Sequence, residues 1–126
     1  MSIFGKLFQK ESNKKQTEQS FISSYRYRGR WYGLMICLGE ESGRNMQEKM
    51  KDKGSEILTM LEISNEFPED FKFVNKLLAL EKQYEEQSKR LSDDEQQRDY
   101  ILGAIEAKKV YLDGKDWKQL LTENEV

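Results

Sequence analysis

The sequence predicts an all-α protein, a small bundle of four to five helices built around a long central helical hairpin, and three observations carry that prediction. Glu, Lys, Leu, Arg and Ala, which lose little conformational freedom in a helix, supply 53 of the 126 residues. A single proline, Pro68, leaves long elements uninterrupted. Apolar residues recur at three- and four-residue spacing through most of the chain after residue 21, and alternate convincingly in one segment only.

The size suits one domain with a modest core. Residues 1–20 read as a flexible basic segment, 21–122 as the helical domain and 123–126 as an acidic tail. Within the first segment, residues 9–20 contain no apolar residue, while Ile3, Phe4, Leu7 and Phe8 share one helical face. Eight residues with two lysines bind lipid only marginally, so no membrane partner is expected.

The stretch 21–38 is the ambiguous one. Alternation sets Tyr25, Tyr27 and Trp31 against Arg26, Arg28 and Arg30, which suits a short β-hairpin near 24–36 turning at Gly29-Arg30. Helical spacing gives two stripes instead: Phe21, Tyr25, Tyr32, Met35 and Tyr27, Trp31, Leu34, Leu38. An isolated hairpin is marginal in water and no partner strand is evident, so the helix is preferred. Gly29 and Gly33 each cost that helix about 1 kcal/mol relative to Ala, but leave a face that another helix can approach closely.

Beyond Glu41, Met46, Met50, Ile57 and Leu61 form the expected inward stripe, either along one helix or along two split at Gly54-Ser55 with Ser55 as the second N-cap. Pro68-Glu69-Asp70 is a strong start signal, with proline in the first turn and two carboxylates at the positive helix end. Phe73, Leu77, Leu80, Tyr84 and Leu91 then hold heptad spacing along a helix predicted over 68–91, widened by Val74 and Leu78. Ser92 and Glu95 fit a capping box, and the helix after it presents Ile101, Ala104, Ile105, Lys108 and Leu112 as its inward stripe, ending at Asp113-Gly114. Asp116 to Leu121 closes the fold with Trp117, Leu120 and Leu121 inward.

Composition excludes much chemistry. The chain has no histidine, which removes Ser-His and Cys-His pairs and the common zinc sets. Cys37, alone in Leu34–Leu38, reads as a buried inert thiol. Glycine-rich phosphate loops and calcium loops are missing. Glu106-Ala107-Lys108 has nuclease-like spacing, but on a helix its two charges point apart. Glu81 and Glu85 lack the Glu-x-x-His partner of a bundle metal site. The sequence therefore predicts no enzyme, no catalytic residue, no metal and no cofactor.

The remaining feature is the Arg- and Tyr-rich segment from 25 to 33. Residues 1–33 carry seven Lys/Arg against two Glu, while 34–126 carry fourteen against twenty-one Asp/Glu. Arginine forks and aromatic faces serve protein hot spots and nucleic acid alike. Tyr25, Arg26, Arg28, Arg30 and Tyr32 are the candidate partner- or nucleic-acid-binding residues, with Tyr27 and Trp31 assigned to the core. Phe73, Leu77, Leu80 and Tyr84 are the candidate homodimer interface. The expected function is protein–protein interaction, as an adaptor, inhibitor or accessory subunit in the cytoplasm. Binding of DNA or RNA through the basic segment is the alternative. Against a helix-turn-helix, Glu69 and Asp70 at the start of the 68–91 helix would repel phosphate.

Overall fold

The computed structural model describes residues 22–114 and 116–121. They form six α-helices: α1 (Ser24–Glu41), α2 (Met46–Lys49), α3 (Lys53–Glu66), α4 (Pro68–Gln83), α5 (Glu85–Ser88) and α6 (Asp93–Leu112). A 3-10 helix, Trp117–Leu121, follows. No strand occurs among the described residues, and 24–36 lies wholly in α1. The apolar start Ile3–Phe8 and the acidic tail lie outside the described residues.

Each long helix begins where its local chemistry dictates. Ser23 caps α1, its Oγ accepting from the Arg26 amide at 3.2 Å. Asp52 caps α3, accepting from the Ser55 amide at 2.9 Å and the Ser55 hydroxyl at 3.1 Å. The sequence offered Ser55 as that cap if the helix divides; the charged Asp52 carboxylate takes both Ser55 donors and starts the helix earlier. Pro68 opens α4 and keeps Phe67 out of the helical region, at φ −126° and ψ 64°. The predicted capping box of Ser92 and Glu95 is present in both directions at the start of α6. Gly43 and Gly114, with φ of +79° and +66°, supply the left-handed turns after α1 and α6.

The helix predicted over 68–91 divides at Tyr84 into α4 and α5. Buried Ser88 donates its hydroxyl to the Tyr84 carbonyl at 2.7 Å, and its Oγ accepts the Ser24 amide of α1 at 2.9 Å. A serine bonding back to the i−4 carbonyl bends a helix, and here the bend receives the start of α1.

The centre of the molecule is α1 rather than a long helical hairpin. It buries Tyr27, Trp31, Leu34, Met35 and Leu38, with α6 along one side and α4 along another. Ile63, Val74, Leu77, Val110 and Leu120 complete the core, and the 3-10 helix closes it between α4 and α6. Tyr27 stacks on Tyr84 with ring centroids 6.0 Å apart.

The α1–α6 contact explains the two glycines. A Cβ on Gly29 would collide with the Tyr100 carbonyl oxygen, and one on Gly33 would sit 2.7 Å from that of Ala104. Reciprocally, a Cβ on Gly103 would collide with the Arg26 carbonyl oxygen. Backbone meets backbone, so the propensity cost of the glycines is offset by an approach that no other residue permits.

Two predicted inward stripes point largely outward, although Ala104 of the α6 stripe is half-buried against α1. In α6 the buried residues are Asp99, Gly103, Ala107 and Val110, while Ile101, Ile105 and Leu112 are exposed. In α3 the buried residues are Thr59 and Ile63, while Ile57 and Leu61 are exposed with Leu58 beside them. Close approach in α6 selects the small residues. In α3 the Thr59 hydroxyl bonds the Ser55 carbonyl at 2.8 Å and the Lys49 carbonyl at 3.4 Å, fixing that edge inward. Met46 is buried and Met50 partly so, as the stripe predicts.

Candidate functional site

Arg26 and Arg30 lie one helical turn apart on α1, and the shared face turns them onto one acceptor, Glu106 of α6. Arg26 holds both carboxylate oxygens, Nε to Oε1 at 2.9 Å and Nη2 to Oε2 at 2.5 Å. Arg30 Nε reaches Oε1 at 3.1 Å and its Nη1 donates to the Leu120 carbonyl at 2.8 Å. Arg30 is only 4% exposed, so its guanidinium is a structural strut between α1, α6 and the 3-10 helix. Burial pushes the Glu106 carboxyl up, but the bonds and charge of the two arginines outweigh it and hold the group below its ordinary pKa. Two charged forks on one carboxylate leave neither arginine available to a phosphate without breaking the pair.

Arg28 points elsewhere. Its guanidinium lies 4.2 Å from the centre of the Trp31 ring, 3.3 Å from Glu56 and 3.7 Å from Glu81, and its side chain is 37% exposed. It borders a groove of about 500 Å³ lined by Ser24, Tyr25, Leu78, Glu81, Lys82 and Glu85. Burial raises the Glu81 carboxyl, Arg28 opposes that rise, and the neighbouring Glu85 charge adds to it. Tyr25 and Tyr32 are half-buried, and Tyr32 tilts against Tyr100 at 5.8 Å. Tyr27 and Trp31 are core residues. The structure thus divides the predicted binding residues among three surroundings: Arg26 and Arg30 at the α1–α6 seam, Tyr25 and Arg28 at the groove, and Tyr32 against α6.

The predicted dimer stripe on α4 is occupied by the chain's own core. Leu77 is fully buried, Leu80 packs on the core, and Tyr84 packs there while stacking on Tyr27. Phe73 is half-buried beneath Lys76, whose ammonium lies 5.5 Å from its ring centre. An interface across all four would require the fold to open.

The sequence reading missed two features. Arg44, in the loop after α1, donates to Glu66 at 2.6 Å and lies 3.6 Å from Glu62, tying that loop to α3. The other is the apolar surface. Ile57, Leu58 and Leu61 on α3 are between 51% and 63% exposed, and Ile101, Ile105 and Leu112 on α6 between 56% and 69%. The signal for the second was Lys108, a cation that the proposed inward stripe of α6 would have had to bury.

The remaining chemistry-bearing groups are quiet. Burial, with help from the Glu40 charge, raises the Cys37 thiol, which disfavours the reactive thiolate. Among the described residues no group of three His, Cys, Asp or Glu side chains could hold a metal ion. Among them, too, no helix is long and apolar enough to cross a membrane. Comparison with protein-family models, with curated proteins and with solved structures finds no match to this chain.

Proposed function

We propose that this is a non-enzymatic interaction protein, an adaptor, inhibitor or accessory subunit acting in the cytoplasm, that binds protein partners through the outer faces of α3 and α6. The observation that carries the reading is the apolar surface itself: Ile57, Leu58 and Leu61 side by side on α3, with a second apolar stripe on α6. Scattered exposed leucines mean little, but contiguous apolar helix faces on a chain that is 35% charged favour recognition. Helix faces of this kind bind by burying a few large anchors against a partner helix or groove.

The basic segment supports the alternative, nucleic-acid binding, less well, since Arg26 and Arg30 are committed to Glu106 and Arg28 lies between two carboxylates. One experiment separates them. The tagged full chain captures proteins from native extract with and without nuclease, beside a Leu58→Glu/Leu61→Glu variant. Nuclease-resistant capture that the double variant loses supports the protein reading. Capture abolished by nuclease, or equal in both chains, overturns it; nuclease-sensitive capture lost at high salt would favour nucleic acid.

A further inference from the structure

The outer face of α6 is patterned more strictly than exposure alone requires. Asp94, Arg98, Ile101, Ile105, Lys108 and Leu112 follow one another at spacings of four, three, four, three and four, the repeat that keeps side chains on one helix face. The buried residues of α6 are a different set, Asp99, Gly103, Ala107 and Val110, so its exposed isoleucines and Leu112 point away from the fold. Ile101, Ile105 and Leu112 are 56%, 57% and 69% exposed, and Leu102 beside them is 38% exposed. Asp94 and Lys108 are exposed as well and form no ion pair with another described residue.

Charge along this face selects the occupant. Asp94 and Lys108 each lie seven residues from Ile101, on opposite sides of it. A two-fold axis through Ile101 therefore sets Asp94 of one copy opposite Lys108 of the other, and repeats the pair at the far end. Ile101 then meets its own mate, and Ile105 of each copy lies beside Gln97 of the other. The first turn adds Asp93 and the last turn Lys109, which extend the same complementarity. A parallel pairing would put Asp94 on Asp94 and Lys108 on Lys108. Antiparallel helices also align opposite ends of their dipoles.

We propose that the outer face of α6 is a self-association surface, on which a second copy of this chain packs its own α6 antiparallel about a two-fold axis at Ile101. The proposal rests on the reading of the apolar helix faces as binding surfaces and names the partner for one of them, leaving α3 for another protein. A twenty-residue helix is about 30 Å long, so this contact alone buries less than the roughly 800 Å² per partner of a stable dimer. The dimer is accordingly weak, with a dissociation constant on the order of 10 µM or above.

Sedimentation equilibrium of the full chain between about 5 and 500 µM tests this, spanning the expected dissociation constant. The expected result is a monomer–dimer equilibrium that Ile101→Glu weakens at least about tenfold, with thermal unfolding of the dilute chain unchanged because the site is exposed. Asp94→Lys and Lys108→Glu should each weaken it several-fold, and the two together in one chain should restore it, since every facing pair is again opposite in charge. A chain monomeric throughout, whatever else covers the face, overturns the proposal. So does a dimer indifferent to Ile101→Glu, or single charge reversals without effect. A monomer whose capture of a protein still depends on Leu58 and Leu61 would overturn self-pairing alone and leave the broader reading standing.

Discussion

The two faces of α6 invert the usual relation between side-chain size and burial. The face against α1 carries Gly103, Ala107, Val110 and Asp99; the face against solvent carries Ile101, Ile105 and Leu112. Burial on the inner side comes from backbone approach, which places main-chain atoms of α1 and α6 in van der Waals contact at Gly29, Gly33 and Gly103. Polar bonds then fix the register of that seam. Asp99 accepts from the Ser23 hydroxyl at 2.6 Å, and Glu106 holds Arg26 and Arg30. Beyond the last turn of this contact, the Tyr111 hydroxyl donates to the Glu41 carboxylate. Hydropathy measures the gain from hiding a side chain, and takes no account of the gain from having almost none.

Filling the inner face should produce the largest effect. Gly103→Leu would drive a side chain into the Arg26 carbonyl and the Arg30 amide, and separating the helices would also pull the arginines from Glu106. Urea unfolding should show a loss of more than about 4 kcal/mol or no cooperative transition at all. Gly54→Ala makes the contrast, because a Cβ there meets nothing nearer than an Asp52 oxygen at 3.4 Å. It should gain about 0.5 kcal/mol through helix propensity. If both substitutions were tolerated alike, the close seam would not be what holds α6 in place.

Removing the carboxylate ranks second. Glu106→Ala leaves Arg30 buried without its anion and should cost about 3 kcal/mol, reduced from a fully dry site by the partial exposure of Glu106. The pH dependence has a definite sign. Because Glu106 is held below its ordinary pKa, its contribution is complete above the unfolded carboxylate value of about 4 and disappears as pH falls through the lower folded value. Glu81, raised by burial, acts oppositely: its contribution is present below about pH 4 and lost as pH rises through its raised value. Stability measured from neutral pH down to about pH 3 should therefore fall less steeply in Glu106→Gln than in the wild type. An unchanged slope would place the acid-sensitive group elsewhere.

How far the sequence could be read follows from where each signal is stored. Capping and turn chemistry is local, and Ser92-Glu95, Pro68 and Asp113-Gly114 all mark helix ends as read. The all-helical class and the burial of Tyr27, Trp31, Leu34 and Leu38 were likewise legible from spacing. Facing was legible only where bulk decides it, as on α4, where Val74 and Leu77 are buried. It failed on α6, where Gly103 and Ala107 carry no hydropathy signal and the apolar stripe belongs to the outside. The break at Tyr84 was hidden because it depends on Ser88 meeting the Ser24 amide, 64 residues away. For the candidate site the limit was similar. Three arginines at alternate positions look alike in sequence, and only α6 and the 3-10 helix show that Arg26 and Arg30 face Glu106 while Arg28 faces Glu56 and Glu81.

The smallest expected effect separates the two faces most cleanly, because it runs against side-chain size. Val110→Ala removes a small side chain from the inner face and should cost about 1–2 kcal/mol, the usual range for a modest buried truncation. Ile105→Ala removes a larger one from the outer face, where 57% of the residue is already in water. Alanine is the better helix former by a few tenths of a kcal/mol, so at concentrations where the chain is monomeric the net effect should be zero or slightly stabilising. Chemical unfolding of both variants at about 1 µM, well below the expected dimer dissociation constant, makes the comparison. A cost for Ile105→Ala as large as that for Val110→Ala would mean that the outer face is covered within a single chain, and would remove the surface on which self-pairing depends. A neutral Ile105→Ala beside a costly Val110→Ala would place the fold's stability on the glycine-lined side and leave the isoleucines to a partner.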